Sequence, residues 1–240
     1  MPGTQAVSVA NRILTALPEG DLERFIAHCE SVQLRFSDLL AEPGERIDHV
    51  YFPLLSCISQ IAPINGRPGL EVGLIGNEGM LGISTIIGID VWPLYASVQS
   101  PGSALRIKTR LFRRQLKQIP ALQSRLQRYL YVVMGQLARK ATCTRFHLLE
   151  ARLACWLLMA HDRAHDDEIH VTQECLAARL GVRRVGVTKA AISLQNDGLI
   201  RYRRGDITIV DRDRLRLSAC NCYAADTAAY AQMLDEPVSG

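Results

Sequence analysis

The 240-residue chain lacks any apolar run of the about 20 residues that a transmembrane helix needs. Residues 1–16 lack the basic start and apolar core of an export signal. The seven cysteines are odd in number and irregularly spaced, so no disulfide framework is expected and a reducing cytoplasm fits best. With 48% apolar and 22% charged residues, the composition is that of a globular protein long enough for two domains.

Common catalytic patterns are also missing from the sequence. There is no Gly-x-Ser-x-Gly elbow, no phosphate-binding loop and no metal-hydrolase histidine pair with a catalytic glutamate. Because covalent catalysis needs a nucleophile beside an oriented base, we expect no enzymatic activity.

The most informative pattern lies in residues 171–210. Thr172 is placed as the N-cap of a first helix, and Gly181 stands where a left-handed residue would end it. A second helix is predicted over residues 183–196, followed by a hairpin around Arg204-Gly205-Asp206. Its predicted inward positions are Val187, Ala191 and Leu194, and its outward positions are Arg184, Val185, Thr188 and Lys189. This order is typical of a winged helix-turn-helix, whose second helix enters the DNA major groove.

Positive charge is concentrated on the same segment. From Arg179 to Arg216 there are ten basic and four acidic residues, a net charge of +6, whereas the whole chain carries only +4. Neutralising phosphates releases counterions, so this concentration predicts double-stranded DNA as a partner. Thr172 and Gln173 lie at a helix N-terminus, a usual place for a phosphate contact. The predicted DNA-binding residues are Thr172, Gln173, Arg183, Arg184, Val185, Thr188, Lys189 and Arg203.

The sequence of the N-terminal half is typical of a β-rich domain. Two short helices are predicted at residues 11–17 and 21–29, and short strands then alternate with turns as far as residue 108. Asn65-Gly66 is a strong hairpin signal. We therefore expect a sandwich or a small jelly-roll barrel. The predicted strands are 31–36, 49–52, 57–61, 70–75, 96–98 and 104–107.

A helical period begins at residue 109. After a short helix over residues 109–118, a longer one starts at Pro120 and reaches about residue 148, a length of roughly 40 Å. Its apolar stripe is wide enough to pack on the barrel on one side and to form a seam with a second copy on another. An ordinary amphipathic core helix is the alternative. The predicted dimer-interface residues are Leu122, Leu126, Tyr129, Leu130, Val133 and Leu137.

The fold class predicted from these patterns is α+β. We expect a β jelly-roll sensor domain with flanking helices in residues 1–119. A long dimerisation helix with a hinge then occupies residues 120–148, and a winged helix-turn-helix DNA-binding domain with a helical tail occupies residues 149–240.

Two segments link the chain to a known family. Residues 180–189 read Leu-Gly-Val-Arg-Arg-Val-Gly-Val-Thr-Lys, and residues 194–200 read Leu-Gln-Asn-Asp-Gly-Leu-Ile. Together with the order of elements over residues 10–215, they resemble the CRP/FNR family of bacterial transcription regulators. The resemblance implies a cyclic-nucleotide-type barrel, a homodimer on a palindromic duplex, half-site centres about one helical turn apart, and RNA polymerase as a further partner.

The recognition helix departs from the family pattern at one position. Gly181, Arg184 and Val187 match it and Lys189 supplies a basic residue, but Val185 stands where the family usually has Glu. An arginine at 184 can make a bidentate contact to guanine, whereas valine can touch a thymine methyl but cannot accept from cytosine. We predict a half-site with a guanine beside a tolerated A·T pair. Arg183 and Lys189 are expected on phosphates or a purine.

The barrel departs from the family as well. Residues 76–82 fall where nucleotide-binding members have Gly-Asp-x-x-Gly-Glu, yet there is no Arg or Lys from residue 83 to 105, and Tyr95-Ala96-Ser97 replaces Arg-Ser-Ala. Since burying a phosphate without a cation is costly, cyclic AMP binding by the usual contacts is not expected. Alternatively, the glycines simply shape a loop. The candidate pocket residues are Gly79, Met80, Leu81, Gly82, Tyr95 and Ser97.

No cofactor and no metal are predicted. Of the cysteines, only Cys29 lies near the N-terminus, whereas an iron–sulfur cluster needs several thiolates close together. Haem ligation by Pro2 would need a second ligand, and residues 58–142 hold no His or Cys.

Several metal-binding or redox side chains have two interpretations at this stage. Cys220 and Cys222 form either a redox or soft-metal dithiol or two unrelated thiols, and Cys143 is either a regulatory thiol near the hinge or a packed small residue. The nearby histidines His161, His165 and His170 hold a metal or form a solvated helix end.

The alternative function is a small-molecule or redox-responsive binding protein whose basic domain serves RNA or a protein partner. Dimerisation and a preference for duplex DNA discriminate the two.

Overall fold

The structure is a computed structural model that describes residues 11–164 and 168–234. A β-rich N-terminal half is followed by a long helix and by a helical C-terminal half with a small sheet. The α+β class predicted from the sequence is confirmed. Within the described ranges, no helix combines the length and the hydropathy that a membrane span requires.

Two short helices, α1 (Arg12–Thr15) and α2 (Glu19–Ile26), precede the barrel. Asn11 caps α1 by accepting a hydrogen bond from the Ile13 amide. Its buried side-chain amide also donates to the carbonyls of Pro53 (3.0 Å) and Gly79 (2.9 Å). One capping residue therefore satisfies a helix end and fixes the helix on the barrel.

The barrel consists of two antiparallel sheets in the orders β1-β7-β3 and β2-β6-β4-β5. The predicted turn at Asn65-Gly66 joins β4 to β5 with both residues at positive φ, as a two-residue hairpin requires. All six predicted strands are present, and the short strand β2 was missed. The strands are β1 (Glu30–Leu34), β2 (Leu39–Ala41), β3 (His49–Pro53), β4 (Cys57–Ile64), β5 (Arg67–Ile75), β6 (Tyr95–Ser100) and β7 (Gly102–Lys108).

Helices α3 (Thr109–Gln118) and α4 (Pro120–Phe146) continue directly from β7. Pro120 opens α4, as its fixed φ and missing N–H favour. The inner face of α4 lies in the barrel core together with Phe25 and Phe52, whose rings meet edge to face at 5.4 Å.

The C-terminal half begins at α5 and carries a three-stranded antiparallel sheet in the order β8-β10-β9. Its last helix turns back onto α4: Arg125 donates to the Leu234 carbonyl at 2.8 Å, and Arg139 pairs with Asp226 at 2.5 Å. The elements are α5 (Leu149–Ala164), β8 (Glu168–His170), α6 (Gln173–Leu180), α7 (Arg184–Asn196), β9 (Ile200–Arg203), β10 (Asp206–Ile209), α8 (Arg212–Ser218) and α9 (Cys222–Leu234).

Two buried glutamates of the barrel join the halves. Glu71, 1% exposed, accepts from the Trp156 indole N–H at 2.6 Å and from Arg179 at 2.7 Å. Glu78 pairs with Arg163 at 2.7 Å, and both side chains are 7% exposed. Burial alone would lower the pKa of Arg163, but the Glu78 carboxylate outweighs it and raises that pKa above its ordinary value. Both glutamates therefore find their cationic partners on α5 and α6.

We predict that Arg163→Met destabilises the chain by about 3–5 kcal/mol, because it leaves the Glu78 carboxylate buried without its cation. The double variant Arg163→Met/Glu78→Gln should recover most of this loss, since it removes the uncompensated charge. Denaturant-induced unfolding measures both. The control is Arg24→Met, which removes an exposed pair with Asp21 and should change stability by less than about 1 kcal/mol. Equal losses for Arg163→Met and the control would contradict the assignment.

Candidate nucleic-acid interface

The turn between α6 and α7 is set by its two capping residues. The Thr172 hydroxyl accepts from the Cys175 amide at 3.2 Å, and Gly181 ends α6 in the left-handed region at φ +65°. A Cβ at 181 would lie 2.9 Å from the Leu70 side chain of β5, so a larger residue would also meet the barrel. Both predicted caps are confirmed.

Helix α7 buries one face and exposes the other. Val187, Ala190, Ala191 and Leu194 form its buried face. Val185 and Ile192 are 65% and 52% exposed, beside exposed Arg184 and Lys189. Ile192 was absent from the predicted set, although it lies seven residues, or two turns, beyond Val185. A contiguous surface of cationic and apolar side chains is thus free to contact a partner.

The Thr188 side chain is hydrogen-bonded to α6, so it is not fully available to a partner. Its hydroxyl donates to the Gln173 side-chain oxygen at 2.8 Å and also contacts the Arg184 carbonyl at 3.1 Å. The bond to Gln173 fixes α6 against α7 on the exposed side of the turn.

The β9–β10 hairpin forms a wing beside these helices. Arg204 (φ +53°) and Gly205 (φ +96°) make its tip, and Arg203 is exposed next to them. A cleft of about 450 Å³ separates the wing from the two helices. Its lining brings predicted Thr172, Gln173 and Arg184 together with Arg204, which the predicted set omitted although the Arg-Gly pair at the turn was visible. The lining residues are Thr172, Gln173, Glu174, Arg184, Tyr202, Arg204 and Gly205.

Cations dominate the exposed chemistry here. Arg183 and Arg184 stand at the N-terminus of α7, where the helix dipole adds positive potential. Two nearby carboxylates are engaged elsewhere: Asp206 with His170 at 2.5 Å, and Asp211 with the Arg214 amide at 2.9 Å. Guanidinium groups presented in this way suit phosphates and the guanine edge.

Known proteins with the same architecture were found by comparison of sequence and structure. The family model described as a Crp-like helix-turn-helix domain matches residues 151–217. The chain has the CRP/FNR-type regulator fold. FixK2 from Bradyrhizobium japonicum superposes with a TM-score of 0.66 at 15% identity, covering 80% of this chain and 98% of that one. No curated protein sequence matches.

Two further solved structures share this fold. A CRP/FNR-family transcriptional regulator from Thermus thermophilus gives a TM-score of 0.60 at 22% identity and covers 79% of this chain and 98% of its own. The c-di-GMP-responsive global regulator CLP from Xanthomonas campestris gives 0.62 at 19% identity, covering 80% and 99%. At these identities the likeness concerns the fold.

Three of the six residues predicted for the dimer interface are buried within the chain itself. Leu122, Leu126 and Tyr129 are at most 1% exposed, because that face of α4 fills the barrel core. They leave no surface for a second copy, which corrects the expectation for these three. Leu130 and Val133 are half-buried. The large apolar side chains that α4 does expose are Tyr131 (65%), Met134 (63%), Leu137 (44%) and, at its end, Phe146 (74%).

The predicted pocket loop of the barrel is packed rather than open. Gly79, Met80, Leu81 and Gly82 are all buried. A Cβ on Gly79 would lie 2.3 Å from the Tyr129 hydroxyl, and Gly82 adopts φ +100°. These glycines therefore shape a loop on which α4 packs closely.

The two β6 residues of the candidate pocket are held within the sheet. The Tyr95 hydroxyl donates to the Gly66 carbonyl at 3.1 Å. Ser97 pairs with Leu39 and Ser59. The segment before β6 exposes Ile87, Ile89 and Val91 by 48–63%, so its surface is apolar.

The histidines and the N-terminal cysteine that were considered as metal or redox side chains have different partners. His170 bonds Asp206, and Asp162 beside His161 accepts from Arg212 at 2.7 Å. His165 and Pro2 lie outside the described residues. Cys29 is half-buried, and burial raises its pKa to about 12.

The structure brings Cys220 and Cys222 next to Cys143 and His147, four side chains that sequence reasoning had not grouped. His147 was missed altogether. Its signal was the i, i+4 spacing from Cys143 at the end of α4.

Proposed function

We propose that the chain is a DNA-binding transcription regulator that binds a palindromic duplex as a homodimer. The observation that carries this proposal is the exposed face of α7, where Arg184, Val185 and Lys189 project while the opposite face is wholly buried. A helix buried on one side and cationic on the other is suited to the major groove. The CRP/FNR-type fold supports the same conclusion.

Base recognition falls to the first turn of α7. Arg184 contacts a guanine through a bidentate pair of hydrogen bonds, and Val185 lies against the methyl group of a neighbouring thymine. Phosphate contacts come from the surrounding exposed groups, which fix the register without reading sequence. These are Thr172, Gln173, Arg183, Lys189, Arg203 and Arg204.

Dimerisation uses the outer face of α4. Its exposed positions Tyr131, Met134, Ala138 and Ala141 follow 3-4-3 spacing, which is the seam of a two-stranded coiled coil. Leu137 flanks this seam and Leu130 widens it. Two-fold symmetry then places the half-sites about one helical turn apart.

The barrel scaffolds the DNA-binding domain without taking cyclic AMP through the family's usual contacts. Residues 83–105, which would hold the phosphate, contain no arginine or lysine. Gly79 and Gly82 of the loop pack directly against the Tyr129 and Val50 side chains. A separate cavity of about 50 Å³ lies where β5 meets α4, α5 and α9. RNA polymerase is the further partner expected of a regulator of this type.

Sequencing of genomic fragments retained by the purified chain tests the DNA proposal. We expect a palindrome with one preferred guanine in each half-site. Arg184→Ala should abolish that preference and weaken binding about 5- to 150-fold, the worth of one bidentate base contact. Arg216→Ala, an exposed arginine on α8, is the matched control and should keep the preference.

A gain of function sharpens the same test. Val185→Glu should shift the neighbouring preference towards C·G, because a carboxylate accepts from cytosine N4. A retained motif without a preferred guanine would refute the assignment of Arg184. Equal retention of single-stranded RNA would favour the alternative, a binding module that serves RNA.

The dimer seam is tested by placing a charge in it. Met134→Glu should convert the chain to a monomer and weaken binding to a full palindrome at least about tenfold, because the two half-sites are then bound independently. Gln118→Glu makes the same change of charge at an exposed site on α3 and should leave the dimer intact. Sedimentation velocity measures both. A Met134→Glu chain that stays dimeric would place the interface elsewhere.

Calorimetry tests the barrel. Titration of the folded chain with cyclic AMP should give no binding heat at micromolar concentrations, since the usual phosphate cation is missing. The same preparation must retain its DNA fragment, which shows that it is active. Micromolar binding would overturn this part of the proposal.

A further inference from the structure

Three thiols and one imidazole converge at the junction of α4 and α9. Cys143 lies in the last turn of α4 and His147 caps that helix. Cys222 is the first residue of α9, and Cys220 lies in the turn before it. Their ligand atoms all lie within 4.8 Å of one another. The three cysteines are buried, and the histidine is half-buried.

The separations within this cluster match those of ligands around a single ion. Sulfur lies about 2.3 Å and nitrogen about 2.0–2.1 Å from tetrahedral zinc, which gives S···S edges of about 3.8 Å and S···N edges of about 3.5 Å. The Cys143 and Cys220 sulfurs are 3.7 Å apart. The Cys222 sulfur and the His147 Nδ1 are 3.5 Å apart.

We propose that Cys143, His147, Cys220 and Cys222 together bind one tetrahedral Zn²⁺ ion. Three thiolates and one imidazole complete a four-coordinate shell, so the site is closed and structural rather than catalytic. Soft thiolate donors also disfavour Mg²⁺ and Ca²⁺, which prefer oxygen.

The surroundings suit a site of net charge −1, as three thiolates around Zn²⁺ would have. Lys140 lines the adjoining cavity together with Cys143 and Cys222, whereas Arg139 in the same lining is paired with Asp226.

The position of the ion gives it a structural role in the proposed regulator, and this step rests on the proposed function. His147 ends α4 immediately before α5 begins at Leu149, and the Cys220 amide donates to the Ala151 carbonyl of α5 at 3.2 Å. A bound ion would therefore fix the proposed dimerisation helix, the first helix of the DNA-binding domain and the C-terminal helix at one point.

The test is metal analysis of the full chain purified under reducing, oxygen-free conditions without an affinity metal. We expect about one zinc ion per chain by inductively coupled plasma mass spectrometry. The zinc-free chain loaded with Co²⁺ should show the visible ligand-field bands of a tetrahedral thiolate site. Titration against a chromophoric chelator gives the affinity, and adding zinc should raise the thermal midpoint.

Variants locate the ion. Cys222→Ser should weaken zinc binding at least about 100-fold, because one of four ligand bonds is lost. Cys175→Ser, at an exposed cysteine outside the cluster, is the matched control and should keep full affinity. Circular dichroism of each variant establishes that it is folded, and the wild-type titration stands independently of any variant.

Two results would overturn the proposal. One is a folded, reduced chain that takes up no zinc and gives no tetrahedral cobalt spectrum. The other is a Cys143–Cys220 disulfide in the chain purified without oxygen, which would make the cluster a redox pair. Since metal content is measured without DNA, either failure leaves the DNA-binding proposal to be judged on its own fragments.

Discussion

The structure depends on the need of two buried carboxylates for partners. Glu71 and Glu78 lie on β5 and the following loop and have almost no contact with water. Because a buried unpaired carboxylate is costly, the donors on Trp156, Arg163 and Arg179 are required where they stand. These donors sit on α5 and α6, so pairing them fixes the first two helices of the C-terminal half against the barrel. The exposed face of α7 takes its direction from that docking.

Helix α4 joins the same parts by a second route. Its inner face completes the barrel core through Leu122 and Leu126, while its outer face remains exposed at Tyr131 and Met134. Helix α9 closes over it from the far end of the chain, with Tyr230 packed into the barrel's hydrophobic core. A single helix therefore packs on the barrel, packs on α9 and carries the exposed surface proposed for a second copy.

Local signals in the sequence predicted the local structure, but they did not predict the contacts between residues that are far apart in the sequence. The caps at Thr172 and Gly181 were predictable because each acts within one turn of its own helix. The Glu78–Arg163 pair spans 85 residues and the Cys143–Cys220 contact 77, and no periodicity relates such distant positions. The stripe on α4 was visible, but its width left undetermined which side meets the barrel. Burial in the folded chain decides that question.

The two buried ion pairs also limit how the proposed regulator can be switched. Rotating the C-terminal half away from β5 would separate Glu71 from Arg179 and Glu78 from Arg163, and each charge that stays buried after separation costs about 3–5 kcal/mol unless a new partner forms. An effector shifts such an equilibrium only by its difference in affinity for the two arrangements, and about 5.5 kcal/mol is needed to reverse a 99:1 preference. A weakly discriminating ligand in the barrel therefore cannot switch this chain. An effector that succeeds must supply replacement partners for the buried glutamates or bind very differently to the two arrangements.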